Sequence, residues 1–302
     1  MAERSHRLPA VVLRGFAIGL ADLVPGVSGG TVAFITGIYA RLINALHIAS
    51  SPSALLLLLR GNLRSYWIAA DASFLACLGA GALSAALLGA ETLRWLLIHR
   101  TVALLSFFCG LTLAAAVLIA LRIERKDLTT TTAGLIGIAA AAAFVLLDPV
   151  SLQNAPPASG FFLAGMLAFP ALILPGISGS FLLLLIGVYP FLLEAVHNRE
   201  IGTLAAFVAG GAIGVLTLIK FLRILLAKYH DITVATLVGV MLGALPKLWP
   251  WKVPADEGVK IILQAPQFPW QAASPEYLAA LLAFLAGIIL VALTETLAKK
   301  LA

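Results

Sequence analysis

The sequence predicts an all-α polytopic membrane protein made of two inverted-topology repeats, each a re-entrant helical hairpin followed by three transmembrane helices. Three observations carry this. Of 302 residues, 61% are apolar and 11% charged, against about 45–50% and 25% in a soluble domain. Several apolar runs are long enough to cross a bilayer. Two of the longest are interrupted by near-identical Pro-Gly clusters, one 150 residues after the other.

A soluble chain of this length would need a far more charged surface than 20 basic and 14 acidic residues supply. The formal charge of +6 does not point to nucleic acid, because the basic residues sit singly between apolar runs and form no stripe with aromatics. Cys77 and Cys109 lie inside apolar runs with no Cys-x-x-Cys or nearby His, the pattern of small buried thiols. No small-residue cleavage site follows a short apolar core at the N-terminus, so the first apolar run is expected to stay in the protein.

The first repeat occupies residues 1–150. It opens with a broken apolar stretch, residues 10–46, followed by apolar spans at about residues 67–90, 101–121 and 132–148. The second repeat, residues 151–302, opens with a broken stretch at 160–196 and continues with spans at about 202–222, 232–249 and 277–297. The breaks fall at Asp22-Leu23-Val24-Pro25-Gly26-Val27-Ser28-Gly29-Gly30-Thr31 and at Leu172-Ile173-Leu174-Pro175-Gly176-Ile177-Ser178-Gly179-Ser180. Pro25 and Pro175 each remove a backbone donor, and the glycines admit positive φ, so neither stretch continues as one helix.

The copies keep a common register well past the breaks. Gly15 matches Gly165, Ser28-Gly29 matches Ser178-Gly179, and Gly37, Tyr39, Leu42, Ala45 and His47 match Gly187, Tyr189, Leu192, Ala195 and His197. A weaker echo at an offset of 129 pairs Gly81 with Gly210, Leu93-Arg94 with Leu222-Arg223, and Gly110 with Gly239. This is a duplicated unit. If each broken stretch enters and leaves on one face, fourteen Lys and Arg, from Arg4 and Arg7 through Arg125 and Lys126 to Lys299 and Lys300, share the face of both termini. Six, including Arg94, Arg199, Lys247 and Lys252, then lie on the other face, with Lys247 and Lys252 read as loop residues. The positive-inside rule makes the basic face cytoplasmic. A hairpin plus three spans is an odd number of crossings, so the second repeat is inserted upside down and the two tips can meet near the midplane.

Each tip leads into a new helical run whose free N–H groups face the break. Such a terminus attracts anions, and backbone left bare at membrane depth needs a polar partner or a cavity. Gly26, Ser28, Gly29, Gly30 and Thr31 in one tip, and Gly176, Ser178, Gly179 and Ser180 in the other, form the candidate anion site, with Arg94 and Arg223 as basic assistants. Helix capping and tight packing are the blander explanation for either cluster alone. Asp22, three residues before its tip, and Glu194, on the returning arm of the second hairpin, are candidates for carrying a coupling ion, H+ or Na+, or for capping a helix end.

Enzyme patterns are weak. Ser28-Gly29 and Ser178-Gly179 are followed by Gly30 and Ser180, with none of the His and Arg that a lipid phosphatase site requires. No P-loop, His-Glu-x-x-His or Cys-rich pattern is present, so neither a nucleotide, a metal nor another cofactor is expected.

The doubled motif, Ala21-Asp22-Leu23-Val24-Pro25-Gly26-Val27-Ser28-Gly29-Gly30-Thr31 through Gly37-Ile38-Tyr39 and Leu174-Pro175-Gly176-Ile177-Ser178-Gly179-Ser180 through Gly187-Val188-Tyr189, resembles the bacterial family long filed as domain of unknown function 368. Members of that family are regarded as undecaprenyl-phosphate transporters. The resemblance implies a plasma-membrane flippase, with membrane lipids around it, that returns the polyprenyl-phosphate carrier to the cytoplasmic leaflet for peptidoglycan and other envelope polymers. One position departs: the family often has Glu after the first-hairpin Tyr, whereas Tyr39 is followed by Ala40-Arg41. A transporter or channel for a small soluble anion, and a membrane enzyme acting on lipid phosphate, are the alternative readings.

Overall fold

The computed structural model describes residues 8–23, 28–147, 150, 152–253, 266–272 and 274–301. Among them the chain is all-helical, with fourteen α-helices and short 3-10 turns. The N-terminal half contains α1 (Leu8–Leu23), α2 (Gly29–Ile35), α3 (Tyr39–Ala49), α4 (Pro52–Leu59), α5 (Leu63–Ala69), α6 (Ala72–His99), α7 (Thr101–Leu121) and α8 (Leu128–Val145). The C-terminal half contains α9 (Ala158–Ile173), α10 (Gly179–Leu185), α11 (Tyr189–His197), α12 (Ile201–Lys228), α13 (His230–Gly243) and α14 (Tyr277–Leu301). Six of these segments are long and apolar enough to cross a membrane, or eight spans exist if each of two bent helix pairs counts as one. Leu83, Leu87, Leu88, Leu135, Ile136, Leu281 and Leu282 project outward from the long helices, the surface that a multi-pass membrane protein turns to lipid.

The long helices depart from the sequence expectations at their ends. Residues 67–69 belong to the separate helix α5, and the span proper begins at Ala72. Asp71 stands between them in the left-handed region at φ 49°, its carboxylate held by Arg41 Nε at 2.6 Å while the same guanidinium stacks over Phe74. The third span starts at Leu128, earlier than the apolar run suggests, because Asp127 caps it by accepting from the Thr130 N–H at 2.8 Å. Helices α6 and α12 each run 28 residues, about 42 Å at 1.5 Å per residue. Arg94, Lys220 and Arg223 therefore lie within helices and not at their ends.

Each broken stretch breaks twice. Besides the Pro-Gly tip, α2 and α3 meet at 116° and α10 and α11 at 108°. Gly37 (φ 71°) and Gly187 (φ 75°) make these second turns. The Gly37 and Ile38 amides donate to Phe34 O and Ala33 O, and the Gly187 and Val188 amides to Leu184 O and Leu183 O, each at 3.0–3.1 Å. This is the Schellman termination, which wants a residue without Cβ at the left-handed position.

Small residues bring the long helices into backbone contact. A Cβ on Gly81 would lie 2.1 Å from Val12 O, and one on its partner by sequence, Gly210, 1.9 Å from Phe162 O. The same doubling holds for Gly110 against Phe284 O and Gly239 against Gly134 O, and for Gly137 against Thr236 O and Gly287 against Phe107 O. Thus α1 packs along α6 and α9 along α12 within the halves, whereas α7 packs along α14 and α8 along α13 across them. The halves interlock through their last helices. Gly210→Leu is expected to lower the melting temperature sharply, since overpacking a fitted contact costs about 1–3 kcal/mol or more. Gly79→Ala, with nothing within 4 Å of the added Cβ, is expected to leave it unchanged or raise it.

Candidate functional site

The two Pro-Gly clusters meet. Ser28 Oγ donates to Leu174 O at 2.8 Å, and the Gly176 N–H donates to Thr31 Oγ1 at 3.3 Å. The approach is close because Gly30 has no side chain: a Cβ there would lie 2.3 Å from Ile173 O. Gly176, at φ 83°, occupies the left-handed region and sits against Met241 Cα, close to the middle of the His230–Leu248 span. Ser28, Thr31 and Ser178 are buried, as is Pro175. Pro25 and Gly26 lie outside the described residues.

The helix starts behind the two tips are satisfied differently. At α2 every first-turn amide has an acceptor: Gly29 N–H donates to Asp22 Oδ1 (2.6 Å), Gly30 N–H to Ser28 Oγ (3.1 Å) and Thr31 N–H to Ser28 O (3.0 Å). Asp22 is therefore the cap of α2, and the place where an external anion would sit is taken by the protein's own carboxylate. Position 172, its equivalent by the 150-residue register, is Leu. At α10 the Ser178 side chain makes no cap bond and instead meets Ser180 Oγ at 3.0 Å. Among the described residues the Gly179, Ser180 and Phe181 amides have no acceptor. Gly179 is pressed against Ala168 O, 2.4 Å from where a Cβ would stand.

The remaining sequence candidates lie apart from the tips or outside the description. Arg223 is exposed on α12, with Nη1 2.7 Å from His47 Nε2 near the end of α3. Glu194 is exposed on α11. The Arg94 side chain lies outside the described residues.

Lys247 is the residue that sequence reasoning missed. Read as a loop cation, it is buried, in a 3-10 turn over Leu245–Leu248 that continues α13 inward of the loop. Its Nζ stands 3.5 Å from the centroid of the Phe181 ring on α10, and it lines a small cavity with Gly176, Ile177 and Ser178. A Lys near the end of an apolar run and directly before Leu248-Trp249-Pro250-Trp251 was the available signal. Just beyond the span, Lys252 donates to Pro246 O at 3.2 Å, and burial lowers its ammonium to about 8.

A family described as undecaprenyl phosphate translocase-like matches residues 18–261. The chain is 38% identical over 252 residues to a polyprenyl-phosphate transporter of Vibrio cholerae serotype O1, covering 83% of this chain and 81% of that one. It is 29% identical over 268 residues to a polyprenyl-phosphate transporter of Staphylococcus aureus, covering 79% and 85%. No solved structure gives a significant match. The relatives are named as transporters, not enzymes.

Thr31→Val keeps the shape of the tip contact and removes the acceptor of the Gly176 N–H. A buried amide left without a partner costs about 1–3 kcal/mol, so thermal unfolding in detergent is expected to shift down. Thr31→Ser, which keeps the hydroxyl, is expected to recover most of the loss.

Proposed function

The chain belongs to the undecaprenyl phosphate translocase-like family, and from that membership we propose that it carries undecaprenyl phosphate, or a similar polyprenyl phosphate, from the outer to the cytoplasmic leaflet of the bacterial plasma membrane. The returned carrier serves envelope polymers such as peptidoglycan. Moving a phosphate anion through hydrocarbon unaided is prohibitive, whereas the prenyl tail crosses at no cost. The protein's task is to give the head a polar path while the tail stays in lipid.

The direct contact of the two tips is the observation that carries this reading. Two broken helices that supply backbone and hydroxyl groups to one point deep in the span are what a head group would need at mid-passage. We take residues 1–150 and 151–302 as inverted repeats, with re-entrant hairpins entering from opposite faces and both termini in the cytoplasm. The matched glycine contacts support the duplication, and the excess of Lys and Arg on one set of connections supports the orientation.

In this mechanism the head engages the second tip first. Gly176, Ser178, Gly179 and Ser180 offer it amides and hydroxyls, and Gly26, Ser28, Gly29, Gly30 and Thr31 receive it as the tips part. Pro175 is the hinge of the second tip, and Pro25 is its counterpart by sequence. Asp22 must yield Gly29 N–H for the second half of the passage. Protonation of Asp22 removes the charge that holds that amide, which would link passage to a proton gradient. Glu194, exposed on α11, and Arg94 and Arg223 play a secondary part.

The test is leaflet-resolved accessibility of undecaprenyl phosphate in proteoliposomes. The protein is expected to speed equilibration between leaflets, and a rate equal to that of protein-free vesicles contradicts the reading. Ser178→Ala with Ser180→Ala is expected to slow it about tenfold or more, the loss of hydrogen bonds to a charged group at about 1.5–3 kcal/mol each. Asp22→Asn is expected to make the rate indifferent to an imposed pH gradient.

A further inference from the structure

We propose that Lys247 is the residue that recognises the phosphate monoester, the cationic half of a head-group site whose other half is the Ser178 and Ser180 hydroxyl pair. The proposal rests on the transport reading above and names the side chain that gives it selectivity for charge.

Lys247 is 6% exposed. A buried ammonium is costly unless something of opposite charge or high polarity meets it. Two other cations of the bundle have carboxylates, Arg41 with Asp71 and Arg122 with Glu295, while Arg14 Nη1, on the first helix and away from the second tip, is buried without a hydrogen-bond partner. Among the described residues Lys247 has no carboxylate partner and no hydrogen-bond acceptor; it has the face of Phe181. An aromatic face partly compensates a desolvated cation, but it leaves the three N–H donors of the ammonium without acceptors. The vacancy in its bonding is for an anion with several oxygens.

The surroundings match that requirement. Ser178, itself 4% exposed, lines the same cavity, and its hydroxyl lies 3.0 Å from that of Ser180. Two adjacent hydroxyls and an ammonium suit the oxygens of a phosphate monoester. The difference between the two tips points the same way. The first tip holds its own anion, Asp22, and the residue one repeat on from it is Leu172. Among the described residues the second tip has no internal anion, and it has Lys247 beside it. Nothing equivalent to Lys247 exists in the first repeat, where the 129-residue echo gives Leu118.

The cavity holds about 10 Å³, room for one water. The head therefore enters only when the wall opens, and the Phe144 and Phe181 rings, which both line the cavity and meet edge to face at 5.7 Å, are the contact that must part. With the proposed orientation Lys247 stands in the outer half of the membrane, between the outer loop and the tips, where a head arriving from the outer leaflet meets it before Ser178.

The experiment measures thermal stabilisation of the purified full chain by three probes, a polyprenyl monophosphate, the matching uncharged polyprenol and inorganic phosphate, beside leaflet equilibration of undecaprenyl phosphate. Wild type is expected to be stabilised by the monophosphate and not by the polyprenol. Lys247→Met, which keeps the stem on Phe181 and removes the unpaired charge, is expected to melt higher without ligand, to lose the monophosphate shift, and to equilibrate the lipid about tenfold or more slower. Lys247→Arg is expected to keep a measurable shift. Lys247→Gln serves as a second neutral variant should the Met variant fold poorly. If wild type transports the lipid and both neutral variants bind and transport it as wild type does, Lys247 is not the recognition residue, although the transport reading survives. If inorganic phosphate alone stabilises the protein, in a Lys247-dependent way, the anion site stands and the lipid assignment falls. If wild type neither binds nor moves the lipid and no phosphate stabilises it, both fail.

Discussion

A helix that stops inside a membrane leaves backbone N–H and C=O groups with no water to meet them, at a cost of several kcal/mol each in hydrocarbon. In this chain two helices stop within apolar stretches, and each break supplies part of what the other lacks. The Ser28 hydroxyl goes to the Leu174 carbonyl, and the Thr31 hydroxyl takes the Gly176 amide. The contact explains why Gly30 is bare and why both serines that follow a Pro-Gly pair are buried. A tip without its counterpart would expose the groups it now pairs. Packing serves the same end. The glycine-lined seams between α1 and α6, α9 and α12, α7 and α14, and α8 and α13 hold the helices that carry the tips at backbone contact.

Geometry repeats between the halves, and chemistry does not. The hairpins share their bends, near 110°, and their glycine turns. Their polar content differs: Asp22 fills the start of α2, whereas the start of α10 is open and has Lys247 for a neighbour. A fully symmetric pair of tips would hold a phosphate equally from either face. On the proposed path, one filled and one open tip would give the passage a first and a second stage.

Much of the architecture could be read from the residues. Runs such as 101–121 end where the helix ends, because apolar length is what the membrane selects. The doubled Pro-Gly motif marked both tips, and the membership it suggested agrees with the family that the chain matches. The second bend at Gly37 and Gly187 was visible only as a repeated Gly-x-Tyr, since a turn within an apolar stretch leaves no polar residue to announce it. Helix ends were the weakest part. Asp127 begins α8 before its apolar run does, and Asp71 begins α6 after its own. Within the site, the identity of the tip residues was legible, but not their partners. That Asp22 would cap α2, or that Lys247 would turn inward from a loop, depends on which helices lie side by side, and a single sequence does not carry that pairing.

The account depends most on the two hairpins entering from opposite faces and meeting within the membrane. Single cysteines at Asn62, beyond the first hairpin, and Asn198, at the end of the second, in a chain with Cys77 and Cys109 replaced by Ala, test this with an impermeant thiol reagent applied to either side of intact and inverted vesicles. Labelling of position 62 only from the cytoplasm and of position 198 only from outside is the expected result. Labelling of both positions from the same face would contradict it.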